Sequence, residues 1–125
     1  MIRLVHCVKR LPELSVAEFR KYWKSAEFVE RLGRLAKITG AQRTERNLTL
    51  LIEMNLRLME ERGSGEPFDA ILEIWWESAG EFSDKLESPE FQQTFQEMEE
   101  FQRRFIDFTI SRRFFTEWES DAGEV

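Results

Sequence analysis

Pro12-Glu13-Leu14-Ser15-Val16-Ala17-Glu18-Phe19-Arg20-Lys21-Tyr22-Trp23 is a helix start joined directly to the apolar strand before it. Ser15 followed three residues on by Glu18 is a capping box, in which each side chain satisfies a backbone N–H at the other end of the first turn. Val16, Phe19, Trp23, Ala26 and Val29 then recur at helical spacing, which predicts one helix to about residue 35 with a single apolar stripe. A stripe of that kind buries itself against a sheet. Residues 2–10 supply the first strand, since they are rich in β-formers and lead to Pro12, which holds Leu11 extended.

Downstream, residues 37–44 are a weaker strand with Gly40 as a candidate bulge. Leu48, Leu51, Ile52, Met54, Leu58 and Met59 follow a mostly helical pattern over 48–62 that stops at Gly63-Ser64-Gly65 and Pro67, an inserted helix with a packing or lid role. Residues 68–77 form the clearest strand. Phe68, Ala70, Leu72, Ile74 and Trp76 share one face, and Asp69, Ile71, Glu73, Trp75 and Glu77 the other. The all-apolar face calls for a helix layer; the mixed face looks at water, a cavity or a second subunit. Ser78 to Glu81 repeats the capping box, and Ser88-Pro89 opens a longer helix striped by Phe91, Phe95, Met98, Phe101 or Gln102, and Phe105. Residues 107–118 are the last strand, and 119–125 read as a flexible tail behind one domain over 1–118.

The order strand, helix, strand, extra helix, strand, helix, strand predicts an α+β, ferredoxin-like βαββαβ fold. In it a four-stranded antiparallel sheet carries its helices on one face, with the extra helix between strands two and three. The open face, read as apolar and aromatic, predicts that two copies pair into a homodimeric α/β barrel.

Composition narrows the function. A net charge of −6 with acids and bases intermixed excludes a nucleic-acid or anionic-membrane partner, which needs a clustered basic face. The doublets Arg103-Arg104 and Arg112-Arg113 suit a solvated helix end and a strand edge. With Cys7 as the single cysteine no internal disulfide forms, and a cytoplasmic setting is expected. The 11 Phe and 4 Trp either fill the core or line a pocket or subunit interface. One His and one Cys cannot assemble the usual nitrogen and sulfur ligand sets, and no Gly-rich phosphate loop is present, so neither a metal nor a nucleotide cofactor is expected.

Three segments together resemble the EthD-type family of the dimeric α/β-barrel superfamily. They are Lys9-Arg10-x-Pro12 with Phe19-x-x-Tyr22-Trp23; Asp69-x-x-x-Glu73-x-Trp75-Trp76-Glu77-Ser78; and Phe105-Ile106-Asp107-Phe108-x-x-Ser111 with Phe115-Thr116-Glu117. The resemblance implies degradation of ethers, lactones or aromatic compounds, or cyclase, isomerase or monooxygenase chemistry on polyketide-like substrates. The family usually has a histidine four residues after the tryptophan, where this chain has Glu27. A semi-buried carboxylate can take over as proton acceptor, or the activity is lost.

Glu73 lies mid-strand among apolar neighbours, so it either meets a cavity or pairs with an arginine such as Arg43 or Arg112. His6 is a core histidine, an acid-base group or a haem ligand. Cys7, on the opposite strand face, reads as an inert thiol, and Asp107 as a turn or capping residue. The expected site therefore places Glu27 or Glu73 as base and His6 or Tyr22 as proton donor, with Trp23, Ile71 and Trp75 shaping a hydrophobic pocket on the open sheet face. It predicts cofactor-free proton transfer on an aromatic or polyketide-like molecule, with a non-catalytic binding protein and a haem-dependent oxygenase as alternatives.

Overall fold

The computed structural model describes residues 1–119. In chain order the elements are β1 (Ile2–Val8), α1 (Val16–Trp23), α2 (Ala26–Thr39), β2 (Arg43–Leu48), α3 (Glu53–Arg62), β3 (Ala70–Trp76), α4 (Ala79–Ser83), α5 (Pro89–Gln102) and β4 (Arg112–Glu117). The sheet order is β2-β3-β1-β4, with each neighbouring pair antiparallel. This is the expected ferredoxin-like arrangement, with α3 as the expected insertion between β2 and β3. The tail read at 119–125 lies, apart from Glu119, outside the described residues.

The capping box forms as read: Ser15 Oγ accepts from the Glu18 N–H at 3.1 Å, and the Glu18 carboxylate accepts from the Ser15 N–H at 2.9 Å. The helix it opens is shorter than expected. It stops at Trp23, and Ser25 caps a second helix by accepting from the Phe28 N–H. The restart changes the helical phase. A continuous helix would carry Val29 inward, whereas Phe28 and Leu32 are buried and Val29 is exposed. The second strand is likewise shifted from 37–44 to Arg43–Leu48, because Lys37-Ile38-Thr39 finish α2 and Gly40 ends it at φ +74°, a left-handed cap rather than a bulge.

Val8, Ala70, Leu72, Ile74 and Trp76 pack under Phe19, Trp23, Phe28, Leu32, Met98, Phe101 and Phe105, and each buried ring or aliphatic side chain contributes roughly 1.5–3 kcal/mol. Phe28, Phe101 and Phe105 meet pairwise at 5.2–5.8 Å between ring centroids. The indole N–H of Trp76 donates to Thr39 Oγ1 at 3.0 Å, which ties the end of β3 to the end of α2 inside this core. On α5, Thr94 is buried and Phe95 lies at the surface, stacked on Phe91 and under the Arg113 guanidinium. The last strand is shorter than 107–118, since Asp107 accepts from Thr109 in a local turn that holds its carboxyl below the usual range.

Candidate functional site

Leu48 ends β2, and the chain then runs as a strap over 49–52 into α3 and returns through Gly63, at φ +61°, to β3. No residue of α3 is buried, and Leu50, Leu51, Ile52, Leu56 and Leu58 stand exposed. Ile52, Leu56 and Met59 recur at i, i+4, i+7 and, facing Val16, Phe19 and Arg20 of α1, wall a cleft of about 490 Å³. Backbone acceptors hold the strap in place: Arg20 Nη2 donates to the Thr49 carbonyl at 2.7 Å, Asn55 Nδ2 to the Leu50 carbonyl at 2.7 Å, and the Thr49 N–H to the Asp69 carbonyl at 3.0 Å. Arg10 and Asp69 also line the cleft and clamp each other, with guanidinium to carboxylate at 3.0 Å and the Arg10 N–H to the second carboxylate oxygen at 2.8 Å. Two residues quoted from separate sequence motifs thus meet where β1 leaves the sheet and β3 enters it.

The sheet face away from the helices carries Arg3, Val5 and Cys7 of β1, Arg43 and Glu45 of β2, Ile71, Glu73 and Trp75 of β3, and Phe114 and Thr116 of β4. It is not the apolar-aromatic surface expected. Glu73 pairs with Arg3 at 3.0 Å rather than with Arg43 or Arg112, and Arg43 pairs with Glu45. Trp75 is only 3% exposed because this chain's own side chains cover it: Arg43 lies 4.7 Å and Arg3 5.9 Å from the ring centroid, and Trp118 packs edge-on at 6.4 Å. Its Nε1 is a buried donor with no partner among the described residues. Burial and then the charge of Glu73 raise the Cys7 pKa, which keeps the thiol protonated.

The expected site residues are not brought together. Glu27 sits at the surface of the helical layer, paired with Arg31 at 2.9 Å and Arg104 at 3.6 Å. His6 points to the helix side of the sheet, and beside it Glu99, Phe108, Ser111 and Arg113 enclose a cavity of about 100 Å³. Burial, followed by the Arg113 charge, lowers its pKa to about 4, so at neutral pH the imidazole is uncharged. A cavity of that size is several-fold below the roughly 300–1,000 Å³ of ligand pockets, so His6 and its neighbours do not fit a haem. Trp23 is a core residue stacked on Phe19 and edge-on to Phe28, and Tyr22 stacks on Phe105 at 5.1 Å; both lie on the helix side. Of the expected set only Glu73, Ile71 and Trp75 share the open face. Among the described residues no cluster of His, Cys, Asp and Glu could hold a metal ion, and no helix is long and apolar enough to cross a membrane.

Arg10, Arg20 and Asp69, none of them among the expected site residues, line the cleft together with Thr49, Asn55 and the rim acids Glu53 and Glu66. The exposed run Leu50-Leu51-Ile52 was the signal that could have found it.

The element order and sheet topology define an α+β protein with a ferredoxin-like sheet. The profile of the EthD domain matches residues 11–109, and the chain belongs to that family. No curated protein matches it. Among solved structures it is similar to a dimeric protein of unknown function and ferredoxin-like fold from Bacteroides fragilis, at 14% identity over 94% of this chain and 95% of that one, TM-score 0.58. It is also similar to an ethyl tert-butyl ether D family protein from Bacillus halodurans, at 13% identity over 95% and 99%, TM-score 0.56. A third is a mutant of SnoaB, a cofactor-independent oxygenase from Streptomyces nogalater, at 13% identity over 98% and 97%, TM-score 0.59. At such identities the likeness establishes the fold.

Proposed function

We propose that this chain binds a hydrophobic small molecule, aromatic or polyketide-like in character, in the cleft between α1 and α3. The observation that carries the reading is a cleft of about 490 Å³ walled by apolar side chains that the chain leaves uncovered. The volume falls within the roughly 300–1,000 Å³ of small-molecule sites, and apolar walls with a few convergent polar groups are their usual make-up. None of Glu27, Glu73 and His6 lines this cleft, so the reading is first one of binding. A setting in the cytoplasm, suggested by the lone Cys7, belongs to the same proposal.

Fluorescence of N-phenyl-1-naphthylamine, an uncharged apolar dye, tests the location. Enhancement by the unaltered protein should disappear in Leu56→Asp and persist in Phe114→Glu, whose change lies on the open sheet face. The opposite pattern overturns the reading.

A second reading makes the chain an enzyme of cofactor-free proton transfer on the open sheet face, covered there by a second copy. It is supported by the unpartnered Trp75 Nε1 next to the half-buried Glu73–Arg3 pair. Displacement of Arg43 or Arg3 from the ring would open the indole N–H to a substrate oxygen, while Glu73 takes a proton beside the carbonyl, with Ile71 shaping the site. The oxygenase of similar fold works without a cofactor, which is consistent with such chemistry.

A further inference from the structure

We propose that the cleft ligand is a hydrophobic acid, whose carboxylate is taken by Arg20 while its apolar body lies against Leu56 and Phe19. The inference rests on the cleft reading and deepens it by naming the headgroup. Arg20 is the cation of the cleft left without a counter-charge. The other arginine, Arg10, is held by Asp69 through both its guanidinium and its backbone N–H. Arg20 makes no ion pair among the described residues, and its single hydrogen bond there goes to the Thr49 carbonyl, a neutral acceptor. A guanidinium has five N–H donors in a rigid fork, so most of this one remains available.

Position makes the free donors count. Arg20 is half-buried on the last turn of α1, beside the fully buried Phe19 and opposite the aliphatic wall of α3. A charge flanked by apolar surface is less screened than one in bulk water, and a carboxylate matches the guanidinium fork through two parallel hydrogen bonds. The acids of the cleft do not compete for it. Glu66 and Glu53 are exposed at the rim, and Glu66 already lies 3.8 Å from Lys9. Arg20 also holds the strap that leads into α3, so a carboxylate seated on it would stabilise the wall that covers the apolar body.

Isothermal titration with naphthalene-2-carboxylate and naphthalene-2-carboxamide, equal in shape and different in charge, tests the proposal. Binding of the carboxylate should be about tenfold tighter or more, as for hydrogen bonds made to a charged group. Arg20→Gln should remove that preference, so that the carboxylate and the carboxamide bind alike, and Arg20→Lys should retain part of it; circular dichroism and thermal melting check that both variants fold. Equal affinities in the unaltered protein, or a preference that survives Arg20→Gln, overturn the hydrophobic-acid proposal and leave the cleft standing. If neither compound binds, or both bind equally well to Leu56→Asp, the cleft reading itself fails and takes the proposal with it.

Discussion

His6 is buried against the helical layer, and the charged groups enclosing it, Glu99 from α5 and Arg113 from β4, are ion-paired with each other. The Glu99 carboxylate is engaged by Arg113, and burial followed by the Arg113 charge lowers the histidine pKa from 6.5 to about 4. The native state then binds this proton more weakly than the unfolded chain, so stability is fully present above about pH 6.5 and is lost as the pH falls toward 4. At roughly 1.36 kcal/mol per pH unit the whole window is worth about 3 kcal/mol, of which about 2 kcal/mol is gone by about pH 4.5. Carboxylates titrate in the same range, and a variant cancels them. His6→Gln removes the titrating group alone, so its stability relative to the unaltered protein, measured by urea unfolding, should improve by about 2 kcal/mol between about pH 7 and about pH 4.5. Proton NMR of the single imidazole should place its midpoint far below 6.5. A midpoint near 6.5, or a difference between the two proteins that does not move with pH, refutes the account of a buried, neutral histidine.

Two further outcomes follow from contacts in the core and on the sheet. Thr39→Val keeps the shape of the side chain but strips Trp76 Nε1 of its acceptor, so unfolding should show a loss of about 1–3 kcal/mol, with Thr39→Ser losing much less; equal losses would show that the hydrogen bond contributes little. The enzyme reading requires a second copy over the open sheet face, so light scattering at micromolar concentration should give a dimer that Phe114→Glu converts to monomer; a monomeric unaltered protein removes that reading.

The architecture was legible because period-two and helical apolar spacing, the Ser15–Glu18 capping box, the Ser78 N-cap, which forms without the reciprocal Glu81 bond of a full box, and Ser88-Pro89 all act within one or two turns of chain. Misreadings occurred where a short-range signal was overruled or ambiguous. Lys24-Ser25 restarts a helix within an apolar pattern that looked continuous, and Arg43–Leu48 is a strand of mostly polar residues with few strand-forming features of its own. It pairs because β3 offers an edge, and because Arg46, on its helix-facing side, finds the Trp23 carbonyl and the Phe28 ring. Similarly, the sequence placed Trp75 beside charged residues on a mixed face. It could not show that Arg3 and Arg43, from two other strands, would cover the ring and leave its N–H unpartnered.

By itself the sequence determined the order of elements, the dry face of β3 and the inserted helix, since each depends on side chains close along the chain. Only the tertiary structure decided that Glu27, Glu73 and His6 lie apart, and that Arg10 meets Asp69 at a cleft where Arg20 keeps free donors. A β-strand sends alternate side chains to opposite sides of a sheet, and what each then meets is set by elements dozens of residues away, a distance over which local periodicity carries no information.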